Sequence, residues 1–307
     1  MENLISVVIT VYNNEKTLKD AILSVISQSY RNIEIIIIDD GSNDSSPQIC
    51  DELLIANSKL KVHHQIHFGI ENARNKGIQM ASGKYITFLN ASDTMSNTLL
   101  ENLKNMMDDY SVELSICRTF SNNATFSSEQ VITFDKIDAI RQLLISDLIQ
   151  NNPYGKLFDK DLFNSISFSS GNSDTIYNIF EKCNKIAFMN KDLYKLSSQS
   201  EIFELKSILN RDIKIMNLHP ELEVFCKCNI VKAIQNEFYN SICNNKIIAD
   251  EQNLYEMFSK IVKNNDEDII KFYSNIRKAH MYLLADNLKN YKILCPVLPE
   301  LNDWIIS

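Results

Sequence analysis

Residues 32–46 read NIEIIIIDDGSNDSS. Four consecutive isoleucines, Ile35 to Ile38, carry no polar alternation. Such a run predicts a strand buried on both faces, as in a parallel sheet. Asp39, Asp40, Gly41 and Ser42 follow directly, where an open α/β sheet binds ligands, outside a strand's carboxyl end. Taken alone, the stretch is equally a core strand ending in an Asp-Gly turn. Its neighbours decide.

Upstream, Ile5 to Val11 is a first buried strand, and Leu18, Ala21, Ile22, Val25 and Ile26 recur on one face of a helix. Downstream, Ser45 or Ser46 is expected to cap a helix that tolerates Pro47 in its first turn and turns Ile49, Leu53 and Leu54 inward. Leu60 to His64 is a short third strand, Gly69 to Ala81 a turn and helix, and Tyr85 to Leu89 a fourth strand. Strand and helix alternating in this way predict a doubly wound, mostly parallel α/β sheet flanked by helices over residues 1 to 120. Further on, Val112 to Arg118 reads as a strand, Val131 to Phe134 as a short edge strand, and Asp135 to Leu148 as a helix. Leu157 to Phe163 reads as a short helix and Ile186 to Met189 as a small strand. From Glu201 the pattern turns helical, over Glu221 to Asn244, Gln252 to Lys263 and Asp266 to Tyr291. The expected division is 1–200 for the α/β domain and 201–307 for an all-helical C-terminal domain.

Bulk properties exclude several classes. The chain has 307 residues, 45% of them apolar, enough for a real core. Its net charge of −8 gives nonspecific nucleic-acid binding no electrostatic support. Seven scattered cysteines show no zinc spacing, so reduced thiols are expected. The start, MENLISVVIT, lacks the basic and long apolar regions of a signal peptide, and no stretch has the length of a membrane span. The expected location is cytoplasmic, in solution or peripheral at the inner membrane face.

Five segments then carry a resemblance: ISVVITVYNNEKTL (5–18), Gln28-Ser29-Tyr30, IIIIDDGSNDSS (35–46), GIENARNKGI (69–78) and ASGKYITFLNASD (81–93). In this order and spacing they resemble the family 2 glycosyltransferases, inverting enzymes with the GT-A fold. A weaker echo continues in YGKLFDKDLF (154–163) and GNSDTIYNIF (171–180). The resemblance implies a nucleotide-sugar donor, a UDP-sugar, and an acceptor hydroxyl on a glycan, glycoprotein or lipid-linked molecule. It implies Asp39 as the acceptor for the uracil imide N–H, and the Thr10–Val11 backbone with Tyr12 as the loop flanking the base. Ala91 joins these as a donor contact. Arg74 is expected against the base or the pyrophosphate, the competing reading being a helix-surface arginine paired with Glu71. Asp40 is expected to hold the Gly41-Ser42 turn, and Lys156 to be a surface or phosphate-side lysine.

Two departures from the family pattern bear on function. The family's Asp-x-Asp element, which holds Mg²⁺ or Mn²⁺ on the donor phosphates, reads here as Asn90 and Ser92, leaving Asp93 as the candidate ligand. The family's Glu-Asp pair reads Ser173-Asp174, so Asp174 is the candidate general base, with a helix cap as its equal alternative. His63 and His64 fall on opposite strand faces, so with His67 they predict no shared ion. Two readings stay open: an active transferase, or a degenerate one that binds or scaffolds. In both, the helical tail is a candidate surface for homo- or hetero-oligomers.

Overall fold

The computed structural model describes residues 3–120, 127–145, 149–169, 174–197, 205–243 and 251–264. Nine strands appear among them: β1 (Ile5–Val11), β2 (Ile33–Asp40), β3 (Leu60–Gln65), β4 (Tyr85–Asn90), β5 (Thr94–Met95), β6 (Leu114–Phe120), β7 (Ser127–Asp135), β8 (Lys156–Asp159) and β9 (Lys185–Lys195). The α-helices are α1 (Leu18–Ile26), α2 (Ser46–Ala56), α3 (Ile70–Met80), α4 (Leu99–Tyr110), α5 (Lys136–Ile145), α6 (Asp174–Lys182), α7 (Leu205–Leu218), α8 (Glu223–Cys243) and α9 (Glu251–Asn264).

All strands join one sheet in the order β3-β2-β1-β4-β8-β6-β9-β5, with β7 added on β9. The first four are mutually parallel. Every residue of β1 and β2 is buried. That burial on both faces is what the unbroken Ile35–Ile38 run demands. Beyond β4 the sheet is mixed: β8 runs antiparallel to both β4 and β6, while β6 and β9 are parallel.

Several local expectations are corrected. Leu157 to Phe158 belongs to strand β8, and only Lys160–Asn164 is helical, as a 3₁₀ turn. Lys156, expected as a surface or phosphate-side lysine, is 1% exposed and its Nζ donates to the carbonyls of Gln150 and Tyr154. The Val131–Phe134 edge strand extends over Ser127–Asp135, and the Ile186–Met189 strand over Lys185–Lys195. Along α2, Cys50 takes the inward position and Leu54 is exposed. The helix Asp266–Tyr291 and the Ser173 position lie outside the described residues.

The chain divides into two compact units, Met1–Leu143 with Leu148–Ile202, and Leu144–Asp147 with Phe203–Ser307. The first holds the sheet. In the second, α7, α8 and α9 bury Leu209, Ile230, Val231, Ile234, Phe238 and Phe258 against one another.

Candidate active site

Parallel register decides where a site can form. Val11 pairs with Asp39, Thr10 with Asn90, and Asp39 with His64, so four strands end together. From β1 the chain proceeds outward to β2 and β3, then returns through α3 to β4 on the other side of β1. Strand order reverses between β1 and β4, and such a switch point opens a crevice at the carboxyl ends. A cleft of about 340 Å³ lies there, lined by Thr10, Val11 and Tyr12 at the end of β1, and Asn90 and Ser92 at the end of β4. Asn14, Asp40, His67, Ile70 and Ala73 complete the lining.

Two polar loops are zipped together at this end. The Asn13 N–H donates to Ser42 Oγ (3.0 Å) and the Asn43 N–H to Asn13 Oδ1 (2.8 Å). The Asn14 N–H donates to Ser46 Oγ (2.9 Å), Glu15 N–H to Asp44 Oδ2 (3.0 Å), and Ser45 N–H to Glu15 Oε2 (3.1 Å). Short polar side chains replace a sheet ladder where the strands have ended. Asn13 adopts φ +54°, a left-handed conformation that asparagine tolerates. Of the two cap candidates, Ser45 stands at the N-cap of α2 without a side-chain cap hydrogen bond, while Ser46 begins the helix; its hydroxyl serves Asn14, and Asp44 Oδ1 accepts the Ser46 N–H (2.9 Å).

Asp39, rather than Asp40, holds the turn that follows the isoleucine run. Asp39, 2% exposed, accepts the Ser42 N–H (3.1 Å) and thereby holds the Gly41-Ser42 turn. Its Oδ2 lies 2.8 Å from His64 Nδ1, and His64 Nε2 reaches Asp51 at 3.2 Å. Burial lowers the His64 pKa, but the hydrogen bonds and charges of Asp39 and Asp51 outweigh it and raise it above the ordinary value. Asp40 instead organises the β3–α3 loop. Its carboxylate accepts Gln65 Nε2 (2.6 Å), Phe68 N–H (3.0 Å) and Gly69 N–H (2.8 Å), and pairs with His67 Nδ1 (2.8 Å). Asp40 lines the cleft, whereas Asp39 lies beside it.

His67 is the residue that sequence reasoning set aside. Its ring stacks on Tyr12 with centroids 4.1 Å apart and planes at 23°, and Tyr12 is 43% exposed. The pair forms one wall of the cleft. The only hint in the sequence was that both residues follow strands, since 55 positions of chain separate them.

After β4, the Ala91 N–H donates to Thr10 O (3.2 Å) and its side chain is buried. Asn90 Oδ1 accepts the Ser92 N–H (3.3 Å). Asp93, the candidate metal ligand, is 3% exposed and turned inward. Its Oδ1 accepts Ser92 Oγ (3.1 Å) and Ser197 N–H (2.7 Å), and its Oδ2 accepts Tyr194 Oη (2.9 Å). Burial raises its pKa despite these donors. The carboxylate thus pins the loop to the end of β9. Among the described residues no three His, Cys, Asp or Glu side chains converge as a metal site. A hard divalent ion wants charged oxygens, and neutral Asn90 and Ser92 beside a fully engaged Asp93 do not fit it.

Arg74 is inside, 3% exposed, which overturns the surface reading. Its guanidinium lies over the rings of Tyr154 (5.3 Å) and Phe168 (5.1 Å), and Nη2 donates to Tyr154 Oη (2.7 Å). Tyr154 stacks on Tyr194, whose hydroxyl serves Asp93, so Arg74 and Asp93 share one buried aromatic relay. Arg74 is absent from the cleft lining. Asp174 is the first residue of α6, half-buried, and also outside that lining. Thr10, Val11, Tyr12, Asn90 and Ser92 thus line the cleft together, Asp93 is tied to it through Ser92, and Ala91, Asp39, Arg74 and Asp174 are not among its lining residues.

Comparison with known proteins follows the same outline. Residues 6–194 match the family described as Glycosyl transferase family 2. Glycosyltransferase GlyG of Streptococcus pneumoniae is 28% identical over 245 residues, covering 74% of this chain and 80% of that protein. Of the next relatives the chain spans smaller shares, from 30% to 59% of their length. Among solved structures, S. aureus TarS 1–349 in complex with UDP-GlcNAc is similar at a TM-score of 0.68 and 15% identity, with 99% of each chain covered. Mannosyltransferase PcManGT from Pyrobaculum calidifontis, in complex with GDP-Man and Mn²⁺, reaches 0.57 at 12% identity over 97% of this chain and 87% of its own. These likenesses show the GT-A fold, an α/β sheet flanked by helices. With more than half of its length matched, and its strands and cleft ordered in that manner, the chain belongs to glycosyl transferase family 2.

Proposed function

We propose that the chain transfers a sugar from a nucleotide-sugar donor, a UDP-sugar, to a hydroxyl of a glycan, glycoprotein or lipid-linked acceptor, with inversion at the anomeric carbon. The observation that carries the donor half is the Tyr12–His67 wall at the β1/β4 switch point. A half-exposed aromatic pair beside backbone donors and acceptors is a surface on which a nucleobase stacks. UDP-GlcNAc bound to TarS, which has the same fold, supports the donor class. Thr10, Val11 and Tyr12 would flank the base. Asp39 would set the floor through the Ser42 turn, and Arg74 would steady the end of β4 through Tyr154 and Tyr194, whose hydroxyl accepts the Asn90 N–H. Donor binding is assigned to residues 1–200.

In the reaction the acceptor oxygen attacks the anomeric carbon, its proton passes to Asp174, and the bond to the nucleoside diphosphate breaks with the electron pair leaving on the phosphate oxygen. A panel of UDP-sugars with release of UDP as readout tests this. Asp174→Asn should lower turnover by about 10²–10⁴-fold with UDP affinity kept. Equal turnover in that variant removes Asp174 from the mechanism.

A second reading has its own observation. Neutral Asn90 and Ser92, with Asp93 committed to Ser197 and Tyr194, favour a subunit that holds the nucleotide without transferring the sugar. UDP binding without turnover on any donor selects it.

A further inference from the structure

We propose that the cleft takes the diphosphate of its donor without a divalent cation, its affinity for the nucleotide being the same with and without Mn²⁺ or Mg²⁺. The proposal rests on the donor reading above and concerns the polar side chains that line the cleft. Asp40 is the one carboxylate among the described lining residues. Both of its oxygens are engaged, Oδ1 by Gln65 and the Phe68 N–H, Oδ2 by the Gly69 N–H and His67. Releasing one to a cation would open the loop that carries His67.

On the opposite side, Asn90 and Ser92 offer only neutral oxygens. Asn90 Oδ1 is shared with the Ser92 N–H, and Ser92 Oγ donates to Asp93 while accepting the Ser197 hydroxyl (2.9 Å). Asp93 follows the lining Ser92 directly, and withdrawing it would leave the buried Tyr194 Oη and the Ser197 N–H without their acceptor. Affinity for hard cations follows the number of charged ligands. Among the described lining residues that number is zero unless the bonds that hold Asp40 are broken. A cation would be held by the diphosphate alone, as it is in water.

The test is calorimetric titration of the full chain with UDP in EDTA and again in MnCl₂, with the electron paramagnetic resonance signal of free Mn²⁺ as an independent readout. Equal affinities within about twofold, and an undiminished free-ion signal on adding protein to Mn²⁺–UDP, are the expected result. Tightening by about tenfold or more in Mn²⁺ overturns the inference while leaving the donor reading intact. Absence of UDP binding in both buffers sinks the donor reading itself, and the inference with it.

A gain-of-function arm tests the stated cause. Asn90→Asp/Ser92→Asp should acquire Mn²⁺-dependent UDP binding, and indifference to Mn²⁺ in that variant refutes the carboxylate argument. Because Ser92 neighbours Asp93, Asn90→Asp alone is run alongside, with folding checked by thermal melting. It adds one charge without crowding Asp93 and should show the same gain to a smaller extent.

Discussion

Glu34 is the place where a single atom change should be felt most in the sheet unit. It lies on β2, 7% exposed, and its Oε1 accepts Ser6 Oγ (2.5 Å), the Ser82 N–H (2.6 Å), Ser82 Oγ (2.8 Å) and the Gly83 N–H (3.1 Å). Its Oε2 pairs with Lys61 Nζ at 2.6 Å. One carboxylate thus ties β1, β2, β3 and the exit of α3 together. Burial alone would raise its pKa, but Lys61, Ser6 and Ser82 outweigh it and lower it from the ordinary 4.5 to about 2. That gap corresponds to about 3 kcal/mol of preference for the charged form in the fold.

Glu34→Gln keeps the shape and removes the charge. Either end of the amide must then present an NH₂ to a donor, Lys61 on one side or Ser82 and Gly83 on the other. Lys61 is half-exposed and can return to water, which trims the loss to about 2–3 kcal/mol at neutral pH. A depressed carboxylate pKa stabilises above the unfolded value and loses that contribution as pH falls through the folded one. The deficit of the variant should therefore be full above pH 4.5 and shrink toward pH 2. Urea unfolding of both proteins by circular dichroism at about pH 7 and about pH 3 reads this directly. A variant as stable as the wild type at neutral pH, or an unchanged deficit at low pH, refutes the reasoning.

Gly41 has φ +74°, and a Cβ there would sit 2.6 Å from the backbone nitrogen of His67. Gly41→Ala should lower stability by about 1–3 kcal/mol and, by pushing the His67 loop away from Tyr12, weaken UDP binding; unchanged affinity would separate the loop from the donor site. For His64 the sign is opposite to that of Glu34. Its raised pKa contributes stability that is full below the ordinary 6.5 and is lost as pH rises through the folded value. The difference in melting temperature between wild type and His64→Gln should accordingly narrow from slightly acidic to alkaline pH, and a constant gap would show that His64 acts through packing alone.

Legibility followed burial. Runs rich in β-branched and aromatic residues and bounded by turn residues, such as Ile35–Ile38 and Tyr85–Leu89, favour strands, so β1 to β4 and the helices between them could be read directly. Leu157–Phe158 could not, because a short apolar run fits a helix or a strand equally, and its state was decided by open edges on β4 and β6 that it could pair. The burial of Lys156 is hidden for a related reason. Its charge suggests the surface, and only the carbonyls of Gln150 and Tyr154 make its burial tolerable.

At the site, residue types chosen for their chemistry were found, but orientation within two adjacent positions was not readable. Asp39 and Asp40 point opposite ways because successive side chains on a strand do. Which of the two meets the cleft depends on which face β3 and its loop occupy. Asp93 could be seen as the last acid near the missing pair, yet its partners Tyr194 and Ser197 lie about a hundred residues away.

What the sequence by itself determined is the alternation that builds a parallel sheet, the polar loops at its carboxyl end, and the loss of two acids after β4. What only the tertiary structure decided is the wall made by Tyr12 with His67, the inward turn of Asp93 and the burial of Arg74 between rings. The physical reason is range. Strand and helix patterns are set by neighbours a few residues apart, whereas a carboxylate's role is set by whichever donors the packed chain brings within hydrogen-bonding distance.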